Sequence, residues 1–426
     1  MRYASERGSE IISSMRRDRA EVVLFGIKIV AFAVMVTGTS VLIRTNILEQ
    51  MMTQPVVFFL MLDAFLIHVF AGASRREAFL TISLASVAYL VWLADRAPKI
   101  NSWVGLTTYG SLLGLASLFV LSASALKLSG AAGVEKLKAF GRSSIFICMA
   151  IWAIPFLGIT DNARPGKLDP FLYAFDWGFG AQPSFLLGQV SASHPALAGL
   201  ELSLYLALAL PLALVYIGHL RNPEWPVDLL HAFFLNSVIA YMIFWLFPAA
   251  GPSFAFVQEY PFHPPALSNV GWAPIIAHAM PNAIPSVHVS TALLIWFNSR
   301  PWPLARWFAL LFLAFTIFAT LGLGQHYVID LIVAFPYALF IQSLGVSTSS
   351  GERDRALWLG LFLTAAWLIF LRFGYAWLPS PALAYIVSPA TIALVLWQES
   401  KLAGRVYARP SPPRHGVGLP LVGASR

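Results

Sequence analysis

Two histidines and an aspartate stand out in a chain otherwise poor in ionisable residues. His326 and Asp330 are four apart in the run Gln325-His326-Tyr327-Val328-Ile329-Asp330. On a helix such a pair shares one face. A carboxylate bonded to one imidazole nitrogen fixes the tautomer and leaves the other nitrogen free as a nucleophile. His288, in Ile284-Pro285-Ser286-Val287-His288, can give a proton to a leaving group. Pro285 suits the first turn of a helix, and the free N–H groups of that turn, near Ser286 and Val287, form an anion site. The chemistry these groups share is phosphoryl transfer through a phosphohistidine. It calls for no metal and no cofactor.

The elements that must position them are hydrophobic. Both runs open strongly apolar segments, joined by the turn Asn298-Ser299-Arg300-Pro301. A hairpin of two spans returns its ends to one membrane surface and sets His288, His326 and Asp330 side by side. Ionisable groups at a bilayer are costly and point to function. The other histidines, His68, His194, His219, His231, His263, His278 and His415, get a structural reading, with His219 and His415 expected in solvent.

The whole chain fits this picture. Of 426 residues, 58% are hydrophobic and 11% charged, against about 25% charged in soluble proteins. The expectation is an all-α polytopic membrane protein of about twelve helices. They are placed near Val22–Leu42, Val56–Ala73, Ala78–Leu93, Trp103–Leu126, Ser144–Ile159, Leu197–Leu220, Val227–Phe247, Pro285–Phe297, Pro303–Leu323, His326–Leu344, Ala356–Leu378 and Ala382–Trp397. The first is long for a signal-peptide core and reads as retained. Cys148 is the one cysteine, so neither an intrachain disulfide nor a cysteine cluster is expected.

A net charge of +8 could suggest nucleic acid, but the placement of the basic residues argues for topology instead. With the N-terminus inside, the great majority of the 28 Lys and Arg residues fall on the cytoplasmic side, as the positive-inside rule requires. Both termini are then cytoplasmic, and His288 and His326 face the extracytoplasmic side of what is read as a bacterial inner membrane. The loop Asp161–Ser193, with Phe171, Tyr173, Phe175, Trp177 and Phe179, is expected to re-enter or lie on the interface.

Pro285-Ser286-Val287-His288 followed one hairpin later by His326-x3-Asp330 resembles the type 2 phosphatidic acid phosphatase superfamily. With Phe247-Pro248-Ala249-Ala250-Gly251-Pro252 it looks most like the inositol phosphorylceramide synthase branch. The resemblance covers about Ser144 to Leu344 and implies a six-helix core. It makes His326 the nucleophile, Asp330 its orienting partner and His288 the acid. It puts Gly251, Pro252 and Ser253 in the first motif. These three, with Ser286, Gln325 and Tyr327, are then candidate substrate-binding residues.

The chain departs from the phosphatase pattern. The first motif lacks its Lys and Arg-Pro pair, Val287 replaces a Gly, and Thr320 stands where an Arg is usual. Arg164, Lys167 and Arg372 are the outward candidates to replace these cations. A phosphodiester carries less charge than a phosphomonoester and needs fewer cations, so the reading tilts towards a transferase.

The resulting division is a cytoplasmic N-terminus (1–20), four N-terminal helices (21–128), an amphipathic cytoplasmic segment (129–143), the six-helix core (144–345), two further helices (346–398) and a disordered tail (399–426). The expected activity moves a phosphorylated head group from a phospholipid to a lipid or glycan hydroxyl. A hydrolase acting on phosphatidate or a polyprenyl diphosphate is the alternative, and a transporter or structural protein the second. The expected partners are the bilayer and a lipid substrate, with no nucleic acid. The sequence leaves the oligomeric state open.

Overall fold

A computed structural model describes residues 55–70, 73–96, 102–128, 130–221, 225–277, 279–347 and 350–407. The expected first span, the arginines before it, Lys28, His278, His415 and most of the tail lie outside them. Among the described residues the fold is helical. In chain order the helices are α1 (Pro55–Phe70), α2 (Arg75–Arg96), α3 (Ser102–Lys127), α4 (Gly130–Ala163), α5 (Asp169–Asp176), α6 (Pro183–Ser193), α7 (Pro195–Leu206), α8 (Ala209–Leu220), α9 (Leu229–Leu246), α10 (Val287–Asn298), α11 (Pro303–Gly322), α12 (Val328–Gly345), α13 (Gly351–Phe373) and α14 (Ser388–Tyr407). Two-residue strands, β1 (Gly166–Lys167) and β2 (Ile275–Ile276), pair antiparallel and clip two loops together.

Six of these helices are long and apolar enough to cross a membrane, and α7 with α8, bent by 43°, makes a seventh. The segments Val56–Phe70 and Val287–Asn298 are apolar but shorter. The expected twelve spans are therefore not confirmed. One difference has a clear cause. The expected amphipathic segment 129–143 and the span from Ser144 are one continuous helix, α4, because nothing between Lys136 and Ile147 breaks a helix. Ser143 is fully buried in it and donates to the Ala64 carbonyl of α1.

Burial separates lipid-facing from central helices. Within the apolar window of α2 only 11% of residues are buried, against 83% for α12. Hence α12 runs through the protein interior, packed by α9, α10, α13 and α14. Amide and hydroxyl groups on α9, α10 and α12 pair with one another there, as hydrocarbon surroundings demand. Asn236 donates to Thr291 at 3.0 Å and accepts from Ser290 at 2.8 Å. Tyr337 donates to the Asn236 carbonyl. These bonds fix the rotation of α10 against its neighbours.

The loop expected to re-enter or lie on the interface folds into short helices with packed aromatics. Phe171, Tyr173 and Phe175 are buried with Phe185, Phe256 and Tyr327 in a second apolar cluster. Trp177 and Phe179 pack against its edge. The Pro-rich, aromatic composition of 161–193 thus reflects a packed cap of short helices.

Candidate active site

Three stretches remote in sequence meet at this cap. The Ala283 N–H donates to the Ala249 carbonyl at 2.9 Å, and the Ser253 N–H and hydroxyl both donate to the Gly324 carbonyl at 2.9 Å. The Ser286 N–H donates to the Asp330 carbonyl at 3.2 Å. Gly251 makes the closest approach. Its φ is 97°, and a Cβ there would lie 2.3 Å from the Gln325 carbonyl oxygen. Only glycine holds such a conformation without strain.

His326 sits just before α12, 1% exposed. Its Nδ1–H donates to the Ala283 carbonyl at 2.8 Å, and the same nitrogen lies 3.5 Å from Asp330 Oδ2. A neutral imidazole with its proton on Nδ1 has a lone pair on Nε2. That lone pair faces the Ser286 hydroxyl at 3.1 Å. The expected orientation by Asp330 is therefore shared. The Ala283 carbonyl takes the hydrogen bond, and Asp330 adds its charge from a longer distance. Asp330 Oδ2 instead accepts the Tyr327 N–H at 2.8 Å, capping α12, while Oδ1 is buried without a partner.

His288 comes from the first turn of α10, as the hairpin requires. Its ring centroid is 6.3 Å from that of His326. Ser286 is the N-cap of α10 and accepts the Val289 N–H at 3.3 Å. The N–H groups of Val287 and His288 have no acceptor among the described residues, which leaves the anion site expected at this turn open.

Four residues that the sequence did not single out complete the arrangement. Tyr205 of α7 lies flat on His288, with ring centroids 3.7 Å apart. Asp169, fully buried, accepts the N–H groups of Ala250 and Gly251 and the Tyr327 hydroxyl. Asp176, also buried, accepts the N–H of Val328 at 2.9 Å. Glu201, four residues before Tyr205, is buried and accepts from Ser191 at 2.9 Å. Both aspartates lie on α5, outside the spans. Burial pushes Asp169 up to about 6 against the three hydrogen bonds it accepts, and the charge of Asp330 adds to the rise. Burial likewise holds Asp176 well above the usual carboxylate range.

The expected binding residues divide. Tyr327 is fully buried and spends its hydroxyl on Asp169, so it braces the cap. Gly251 and Ser253 hold the 324–325 turn, and Pro252 is buried behind them. Ser286 is at the reacting nitrogen, and Gln325 is half-buried beside His326. The cations expected on the outward side are engaged elsewhere. Lys167 is buried on Asp161 at 2.5 Å, Arg164 lies over Trp245 and Arg372 over Phe171.

No curated protein and no solved structure gives a significant match. Residues 170–344, the segment from α5 to α12 that builds the site, match the family model of the PAP2 superfamily, which supports that superfamily and a lipid enzyme of phosphatase or phosphotransferase type.

Proposed function

We propose that this chain is an integral membrane lipid phosphotransferase of the inositol phosphorylceramide synthase-like kind. It moves a phosphorylated head group from a phospholipid to a lipid or glycan hydroxyl on the extracytoplasmic face. The observation that carries the reading is the state of His326: Nδ1–H is committed to Ala283, so the nucleophilic lone pair lies on Nε2.

In the first half-reaction Nε2 attacks phosphorus, and the bond to the lipid alkoxide breaks. His288 gives a ring proton to the departing oxygen. In the second, the acceptor hydroxyl attacks the phosphohistidine, the P–N bond breaks, and His288 takes the hydroxyl proton. The Val287 and His288 N–H groups stabilise the phosphoryl oxygens. No metal is needed for any of these steps.

Transfer is favoured over hydrolysis of a phosphomonoester by charge. The cations expected on the outward side are occupied elsewhere, which leaves the site poor in positive charge. A phosphodiester, with one negative charge, suits such surroundings better than a phosphomonoester.

The test is a trapping assay. Full-length protein in detergent is incubated with phospholipids labelled at the head-group phosphate and quenched without acid hydrolysis of phosphohistidine. Label on the wild type and none on His326→Ala is expected. Addition of alcohols should then discharge it into a new phosphodiester. Discharge into water alone would replace transferase by phosphatase, and activity surviving His326→Ala would remove the mechanism.

A further inference from the structure

At the other end of α10 a second site has been left unassigned. The helix begins at the His288 turn, ends at Asn298 and has twelve residues, about 18 Å along its axis. Beside that far end is an open cavity of about 470 Å³, between α4, α8 and the start of α9. The size suits a small organic ligand. Its chemically active lining is Arg142, Tyr216, His219, Trp225, Asp228 and His231.

His219 defines what the cavity can bind. It was expected in solvent, yet it is 5% exposed. Its Nε2–H donates to the Asn298 carbonyl at 2.9 Å, so Nδ1 carries the lone pair. That nitrogen is buried without a partner, on a residue that lines the cavity. A buried acceptor left open is costly unless a donor arrives. Trp225 and Trp302 pack on the His219 ring, with centroids at 4.5 and 5.7 Å and planes tilted by 30° and 23°, and restrict its orientation. Asp228 at the mouth spends one oxygen on the His231 N–H, which leaves a second acceptor. Arg142 is half-buried, and no carboxylate among the described residues forms an ion pair with it.

A fixed cation, two hydroxyl acceptors and an aromatic wall select a ligand with an anion and hydroxyls together. We propose that this cavity binds a phosphate ester carrying a free hydroxyl. Arg142 would pair with the phosphate oxygens, and the ligand hydroxyl would donate to His219 Nδ1. The site does not depend on the chemistry at His326, because it uses none of its residues.

The experiment uses full-length protein in phosphatidylcholine nanodiscs. A photoactivatable phosphatidylglycerol is crosslinked and mapped by mass spectrometry. Dihexanoyl phosphatidylglycerol and sn-glycerol 3-phosphate serve as competitors. Label on the peptides bearing Arg142 and residues 216–231 is expected. Arg142→Gln should weaken labelling at least tenfold and Arg142→Lys far less. His219→Phe, which keeps the ring stack, should abolish the preference for phosphatidylglycerol over a choline head group. Trapping of label on His326 should be unchanged in all three. Competition by both compounds assigns the site to the phosphate ester itself, and competition by the lipid alone assigns it to a membrane head group. Label confined to the His326 region, or labelling indifferent to Arg142→Gln and His219→Phe, overturns the proposal. Mapping on the wild type decides the matter even where a variant does not fold.

Discussion

Tyr205 covers the face of His288, with centroids 3.7 Å apart and planes 17° from parallel. Neither ring nitrogen of His288 has a hydrogen-bond partner among the described residues, so the stack is what holds the proposed acid at its angle. Tyr205→Phe should keep kcat within about twofold. Tyr205→Ala should lower kcat about tenfold with KM little changed, the scale of a lost aromatic pair. Steady-state transfer assays separate the two parameters, and a fall in KM affinity alone would make Tyr205 a substrate contact.

Asp330 and Ala283 share the task of fixing the His326 tautomer. Where an aspartate alone sets the tautomer, Asp to Asn costs about 10⁴-fold in kcat. Here the Ala283 carbonyl already holds Nδ1–H. Asp330→Asn should therefore cost about a hundredfold, while His326→Ala removes activity altogether. A loss for Asp330→Asn equal to that for His326→Ala would show the carbonyl to be ineffective.

Ser286 is both helix cap and partner of the nucleophile. Ser286→Ala should destabilise the protein by about 1 kcal/mol through the lost cap. It should also speed modification of His326 Nε2 by diethyl pyrocarbonate, since the hydroxyl no longer occupies the lone pair. Thermal unfolding and peptide mapping read the two effects independently.

Gly251→Ala places a methyl 2.3 Å from the Gln325 carbonyl, at a φ of 97°. Backbone on both sides leaves no flexible group to yield. The loss of stability should exceed about 2 kcal/mol, seen as poor recovery of folded protein. Normal stability would mean that the 251 and 325 turns do not touch.

Asp169 should make stability fall as pH rises. Its folded value, about 6, lies above the usual 3.8. While protonated, below about pH 4, it carries no burial penalty for charge. The penalty grows as pH passes through about 6 and reaches about 3 kcal/mol. Asp169→Asn removes this titration and should flatten the decline between pH 4 and 7 in thermal unfolding. Equal declines in wild type and variant would assign the effect to another group.

The sequence made the proposed triad legible because its spacing is local. His326 and Asp330 are one turn apart, and a hairpin of known length returns His288 to them. The helical class followed from composition. What stayed hidden depends on tertiary packing. Asp169 and Asp176 lie in a loop whose aromatics read equally well as a membrane belt and as a core. Tyr205 and Glu201 sit on a broken helix with nothing local to mark them. The span count suffered where short or bent helices, such as α10 and the α7–α8 pair, fall below the length of a full crossing.

In the proposed mechanism, the hydroxyl of Ser286 on Nε2 acts as a safety catch. An unguarded imidazole would react with any small electrophile that drifted in. Here the catch opens only for a visitor that offers the Ser286 hydroxyl a better acceptor, and a phosphoryl oxygen beside the Val287 and His288 amides is such a visitor. Docking of the donor and arming of the catalyst are then one event. Compounds without an anionic head should leave the histidine sheathed.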